Sequence, residues 1–202
     1  SYHKDLPRSL PIPRQPVHRF LESAADWLTK QKDIIFYGTV LTYHQLNEQV
    51  NQFAHTLIGL GVQPKDRVML VLPNIPQMII AYYATLKVGA VVVMPNPDAN
   101  TAQIVEKIQR TQAKVLVTLN DFIGLAQSAK ENTTLKSIVF ADIRNAVSGH
   151  VYKRLLSRWG EEHGAKDEAQ LAQLGHNMAL LMADAVKTEP KVKVNYNDLA
   201  AI

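Results

Sequence analysis

The chain has 202 residues, 47% of them hydrophobic and 20% charged, a balance that supports a buried core in one domain, or one domain and part of another, and excludes disorder. Lys and Arg number 22 against 18 Asp and Glu and are spread along the chain rather than massed, so the surplus describes a solvated surface and no nucleic-acid footprint. With no cysteine there is no disulfide, thiolate metal site or thiol nucleophile, and no apolar run reaches the ~20 residues that span a bilayer.

In chain order, Pro7, Pro11, Pro13 and Pro16 remove backbone donors and fix φ, which predicts an extended arm over residues 1–16. Pro13-Arg-Gln-Pro16 spells PxxP, but an arm laid on its own domain is a simpler reading than a ligand for a recognition domain. Pro16 suits the first position of a helix reaching Lys30. Val17, Phe20, Leu21, Ala24, Trp27 and Leu28 recur at helical spacing as its expected inward face. Short β-favouring runs at 34–37 and 39–43 flank Gly38 as a small hairpin. Thr42 and Gln45 make a capping box for the next helix, whose stripe of Leu46, Val50, Phe53, Ala54 and Leu57 ends at Gly59 and Gly61. His44 and His55 lie off that stripe, at surface positions rather than in a metal site.

Strands at 67–72, 90–94, 114–119 and 137–141 then alternate with helices at 75–88, 101–110 and 122–130. Strands so continuously apolar are covered on both faces. This predicts an α/β fold, a mostly parallel sheet flanked by helices with right-handed crossovers. Two further helices are expected at 151–163 and 168–186, the second with Leu171, Leu174, Met178, Leu181 and Met182 near one face. A charged connector, 187–193, leads to the last residues. Residues 1–202 read as one α/β region: arm and helix over 1–32, β/α core over 33–145, and helices with a lead-out over 146–202.

Few patterns here carry chemistry. The segment from Gly160 to Asp167 is one residue short of a P-loop between its glycines and ends in Asp where Ser or Thr belongs, so it reads as a loop between helices. No glycine-rich dinucleotide turn, ligand-spaced histidine pair or Gly-x-Ser-x-Gly elbow occurs. In open parallel sheets, ligands bind beyond the carboxyl ends of the strands. That directs attention to the exits Pro73-Asn74, Pro95-Asn96 and Asn120-Asp121. Asn and Pro also end strands for reasons of turn geometry alone, an account that weighs most at Asn120. No catalytic, cofactor-binding or metal-binding residue is assigned.

Leu41-Thr-Tyr-His-Gln-Leu46, Gly61-Val-Gln-Pro-Lys-Asp-Arg-Val68, Leu72-Pro-Asn-Ile-Pro76, Leu86-Lys-Val-Gly-Ala90 and Val93-Met-Pro-Asn-Pro97 follow one another in an order and spacing that resemble the opening of an AMP-forming acyl-CoA synthetase, a member of the adenylate-forming family. Gln103-Ile104 and Ala113-Lys-Val-Leu-Val117 continue the likeness. Lys65 departs from it, standing where the family carries Gly. The closing Asn197-Asp-Leu-Ala-Ala-Ile202 is similar to the family's lead into a Ser/Thr/Gly-rich phosphate loop.

The resemblance implies the N-terminal part of a longer enzyme that joins a carboxylic acid, a fatty or related acid, to ATP as an acyl adenylate and transfers the acyl group to CoA. ATP, Mg²⁺ and CoA would serve that whole enzyme and none is expected on this segment, which would be scaffold along one wall of the cleft and without turnover by itself. Acyl-AMP ligases and aryl-CoA ligases share the motifs. A non-catalytic binding or dimerisation module, a homodimer, is the alternative of a different class. The opening residues lack the succession of a signal peptide, so a cytoplasmic location is expected, with room for peripheral membrane association.

Overall fold

The computed structural model describes residues 13–96, 98–159 and 168–202. Most of the expected arm and the loop from Gly160 to Asp167 lie outside the described residues.

The first helix, α1 (His18–Trp27), is shorter than expected and rotated by about one residue, so that Leu21 is buried as expected while Val17, Phe20 and Trp27 are exposed. Trp27 is 87% exposed and Phe20 also faces outward, whereas His18, Leu21, Glu22 and Ala25 are buried. A charged node explains the rotation. Lys87 ends α3 (Pro76–Lys87) with its side chain 1% exposed, and its ammonium donates to Asn47 Oδ1 at 2.8 Å and Asn51 Oδ1 at 2.7 Å on α2 (Tyr43–Gly59). A lysine so buried needs a counter-charge, and Glu22 supplies it at 2.9 Å. Turning Glu22 inward carries Phe20 and Trp27 outward while Leu21 stays in the core.

Between these helices, β1 (Lys32–Phe36) and β2 (Thr39–Thr42) pair antiparallel around Tyr37 and Gly38. Both loop residues have positive φ, 46° and 88°, as a two-residue hairpin with right-handed strand twist requires. The expected capping box opens α2: Gln45 N donates to Thr42 Oγ1 at 3.2 Å and Thr42 N to Gln45 Oε1 at 2.9 Å.

The main sheet holds β3 (Arg67–Val71), β4 (Val91–Val93), β5 (Val115–Leu119), β6 (Ser137–Ala141) and β7 (His176–Asn177), all parallel, in the spatial order β4-β3-β5-β6-β7. Successive strand residues point to opposite faces, so each strand feeds two cores. Val68, Leu70, Val117 and Val139 pack with α2 and α3, while Met69, Leu116 and Phe140 pack with α4 (Thr101–Thr111) and α5 (Ile123–Asn132). A 3₁₀ turn, Ile143–Ala146, and α6 (Gly149–Trp159) follow β6.

The helix expected over 168–186 is three elements: α7 (Glu168–Leu174), the two-residue β7, and α8 (Met178–Ala183). Its supposed single stripe is divided between the two faces of the sheet. Leu171 and Leu174 pack on the α4 and α5 side, and Met178, Leu181 and Met182 on the α2 and α3 side. Crossing from one to the other brings Gly175 against the backbone of Ile138, where a Cβ would lie 2.9 Å from the carbonyl carbon.

From the last turn of α8 onward the chain is gripped by α2. Thr56 Oγ1 donates to Leu181 O at 3.2 Å, Gln52 Nε2 to Met182 O at 2.9 Å, and Asn51 Nδ2 to Lys187 O at 2.8 Å. The last residues then join the free edge of β4. Val92 N donates to Ala200 O, and Ile202 N to Val92 O, both at 2.9 Å, with Val92 and Ala201 in parallel register. No helix among the described residues is long and apolar enough to cross a membrane.

Candidate functional site

From β3 the chain crosses to β4 on one side and then returns to β5 on the other, so the strand order reverses at β3. At such a switch point the crossovers part and leave a crevice beyond the carboxyl ends. A cavity of about 780 Å³ lies there, walled by Leu72, Met78, Met94, Ile104, Phe122 and Leu125. Pro73-Asn74 and Pro95-Asn96 both line it, so two of the three exits singled out in the sequence meet in one space. Among the described residues its wall carries no charged side chain. Asn100, which also lines it, is engaged as the cap of α4: Gln103 N donates to Asn100 Oδ1 at 3.0 Å.

The third exit behaves differently. Asn120 is 7% exposed, its backbone N donates to Ala141 O at 3.0 Å, and it opens on a neighbouring cavity of about 670 Å³; Asp121 is half-buried. Phe122, two residues on, is what the β5 exit contributes to the larger space.

The exit of β6, passed over in the sequence, carries more polar chemistry. Asp142 is 5% exposed and its carboxylate accepts from Arg144 N at 2.8 Å and Arg144 Nε at 2.6 Å, with Nη2 closing the pair. That hydrogen-bonded carboxylate raises the Arg144 guanidinium above its ordinary range. Gln77, in the first turn of α3, donates through Nε2 to Asp142 O at 3.1 Å, tying the β3 and β6 exits together. An Asp with an Arg two residues on is too common a pattern to have flagged the place beforehand. The expected surface histidines are placed on α2: His44 is 55% exposed near Glu48, and the His55 ring lies 2.9 Å from Thr188 O. Among the described residues no group of three His, Asp or Glu side chains is arranged to hold a metal.

With this geometry in view, comparison with known proteins is decisive: residues 21–202 match the family described as AMP-binding enzyme. The chain belongs to that family. It is 30% identical over 145 residues to the long-chain-fatty-acid–CoA ligase of Bacillus subtilis (strain 168), covering 72% of this chain and 26% of that protein. Over 84 residues it is 38% identical to a plipastatin synthase component of the same organism, 42% of this chain and 2% of the other. The solved anthranilate CoA ligase AuaEII, in complex with anthranoyl-AMP, shares the fold with a TM-score of 0.74 at 18% identity, over 95% of this chain and 32% of that one. The chain thus spans about a quarter of the length of the fatty-acid–CoA ligase it matches.

Membership in the AMP-binding family and the structure together account for individual motif positions. Lys87 of Leu86-Lys-Val-Gly-Ala90 is the cation of the buried node, and Gly89 of the same motif has φ 69° with Pro64 Cβ 3.3 Å from where its own Cβ would stand. Lys65, where the resemblance led one to expect Gly, has φ 71°. A side chain in this left-handed conformation is strained where glycine is free. Lys65→Gly is therefore expected to raise the unfolding free energy by about 1 kcal/mol in urea titration; a destabilised variant would contradict this.

Proposed function

We propose that this chain is the N-terminal α/β portion of an AMP-forming acid–thiol ligase, which joins a carboxylic acid to ATP as an acyl adenylate and passes the acyl group to CoA. The observation that supports this most is the pairing of Ala200 to Ile202 on β4. The pairing is parallel, so whatever follows Ile202 leaves the sheet at its carboxyl edge, beside Met94 and Pro95 and the 780 Å³ cavity. A phosphate-binding loop at the end of such a strand would open over that cavity, as ligand loops do at a switch point.

We infer that the triphosphate and Mg²⁺ are held mainly outside the described residues. The uncharged cavity wall among the described residues supports that reading, in which this portion forms a wall of the cleft. A long-chain fatty acid is the acid we favour, on the likeness to a fatty-acid–CoA ligase over 72% of the chain. The likeness to the plipastatin synthase component is higher in identity but covers 42%, which makes an amino acid the second reading.

Exchange of labelled pyrophosphate into ATP tests the proposal. The 202-residue chain should show none, and the longer protein should show exchange that depends on palmitate rather than on benzoate or amino acids. Exchange by the 202-residue chain would sink the division of labour, and exchange with amino acids alone would move the enzyme to the second reading.

A further inference from the structure

Residues 187–202 form a strap that leaves α8, crosses α2, passes Gly89 at the start of β4 and ends as the added strand on β4. Two chains of contacts tie the start of the strap to the buried node. Lys87 Nζ donates to Asn51 Oδ1 at 2.7 Å while Asn51 Nδ2 donates to Lys187 O at 2.8 Å. Glu22 meets Arg19 at 2.8 Å, and Arg19 meets Glu189 of the strap at 3.3 Å.

His18 sits where α1, α3 and the strap converge. It is 4% exposed and shares a crevice of about 40 Å³ with Leu86, Gly89, Val194, Asn195 and Tyr196. Its Nδ1 is buried with no hydrogen-bond partner among the described residues, and its Nε2 lies 3.9 Å from Glu22 Oε1, an oxygen already taken by Lys87. The charged groups facing the ring are Glu22 and Arg19 on its own helix, Lys87 on α3 and Glu189 on the strap. A proton on His18 would put a third cation beside two carboxylates that Lys87 and Arg19 already engage.

We propose that His18 is the trigger of a proton-sensitive clasp: neutral, it allows the node to pin the strap and α1 against α2 and α3, and protonated, it releases both. Burial, followed by Lys87 and Arg19, lowers the imidazole pKa from 6.5 to about 4, while Glu189 pulls weakly the other way. The proton is therefore held more loosely when the clasp is closed than when it is open. Closure is fully favoured above pH 6.5 and loses ground as pH falls towards about 4, by roughly thirtyfold at about pH 5. This inference stands apart from the ligase reading, because it concerns contacts within the chain and no turnover.

Hydrogen exchange followed by mass spectrometry on the 202-residue chain, with times corrected for the intrinsic effect of pH, reads the clasp directly. Between about pH 7 and about pH 5, peptides from the strap and α1 should lose roughly twentyfold in protection while β5 keeps its own. His18→Gln should abolish that pH dependence. His55→Gln, which alters the other ring touching the strap, should leave it in place. Strap protection that ignores pH, that falls in step with β5, or that still falls in His18→Gln would overturn the clasp. Should His18→Gln not fold, the ring titration of His18 by NMR in the unaltered chain decides: a midpoint near 4 supports the proposal and one near 6.5 defeats it.

Discussion

Glu22→Gln is expected to cost about 3–5 kcal/mol of unfolding free energy, a loss out of scale for a residue on an outer helix. The reason lies across the interface in Lys87. Of the three oxygens around its ammonium, those of Asn47 and Asn51 are neutral amides and the Glu22 carboxylate brings the charge. Removing that charge leaves a cation 1% exposed with dipoles alone to replace its hydration. The reverse change, Lys87→Met, should cost about half as much, because Glu22 keeps Arg19 at 2.8 Å and Arg19 reaches solvent. Urea titrations of both single variants and the double variant measure the asymmetry and the coupling. Equal costs for the two, or a loss below about 1 kcal/mol for Glu22→Gln, would mean that the node does not orient α1.

Gly175→Ala should be nearly as damaging, at about 2–3 kcal/mol and a fall of about 5–10 °C in Tm. The obstacle to a methyl group there is the Ile138 main chain, with the carbonyl carbon 2.9 Å away, and a backbone paired into a parallel sheet cannot swing aside as a side chain can. Relief requires β7 to leave β6, giving up the Val139–His176 and Phe140–Asn177 register and separating α7 from α8. Differential scanning calorimetry gives the size of the effect, and exchange of the β6 amides tells whether the edge strand has parted. A Tm within about 2 °C of the parent would show that the crossing at Gly175 is more compliant than its geometry states.

Both substitutions fall where local pattern and finished structure disagree, and the disagreements share one cause. Wherever the deciding forces act within a few residues, the amino-acid order was enough. The capping box of Thr42 and Gln45, the apolar stripe of α2 and the runs that became β3, β4, β5 and β6 are all consequences of neighbours along the chain. The α/β class and the membership of the AMP-binding family followed from the same local signals in their sequence order.

The rest depended on partners far along the chain. Periodicity in α1 shows that a face exists, but which face is buried was settled by Lys87, whose need for a carboxylate outweighs the apolar stripe of Phe20 and Trp27. Periodicity over 168–182 shows apolar residues at helical spacing, yet a two-residue strand and a close-packed glycine send its halves to opposite faces of the sheet. Likewise Asn74 and Asn96 share a cavity that Asn120 does not, because crossover geometry at the switch point decides which exits meet. Local propensity thus chose the elements, while the compensation of buried charge and the pairing of distant backbone edges chose their orientation and the shape of the site.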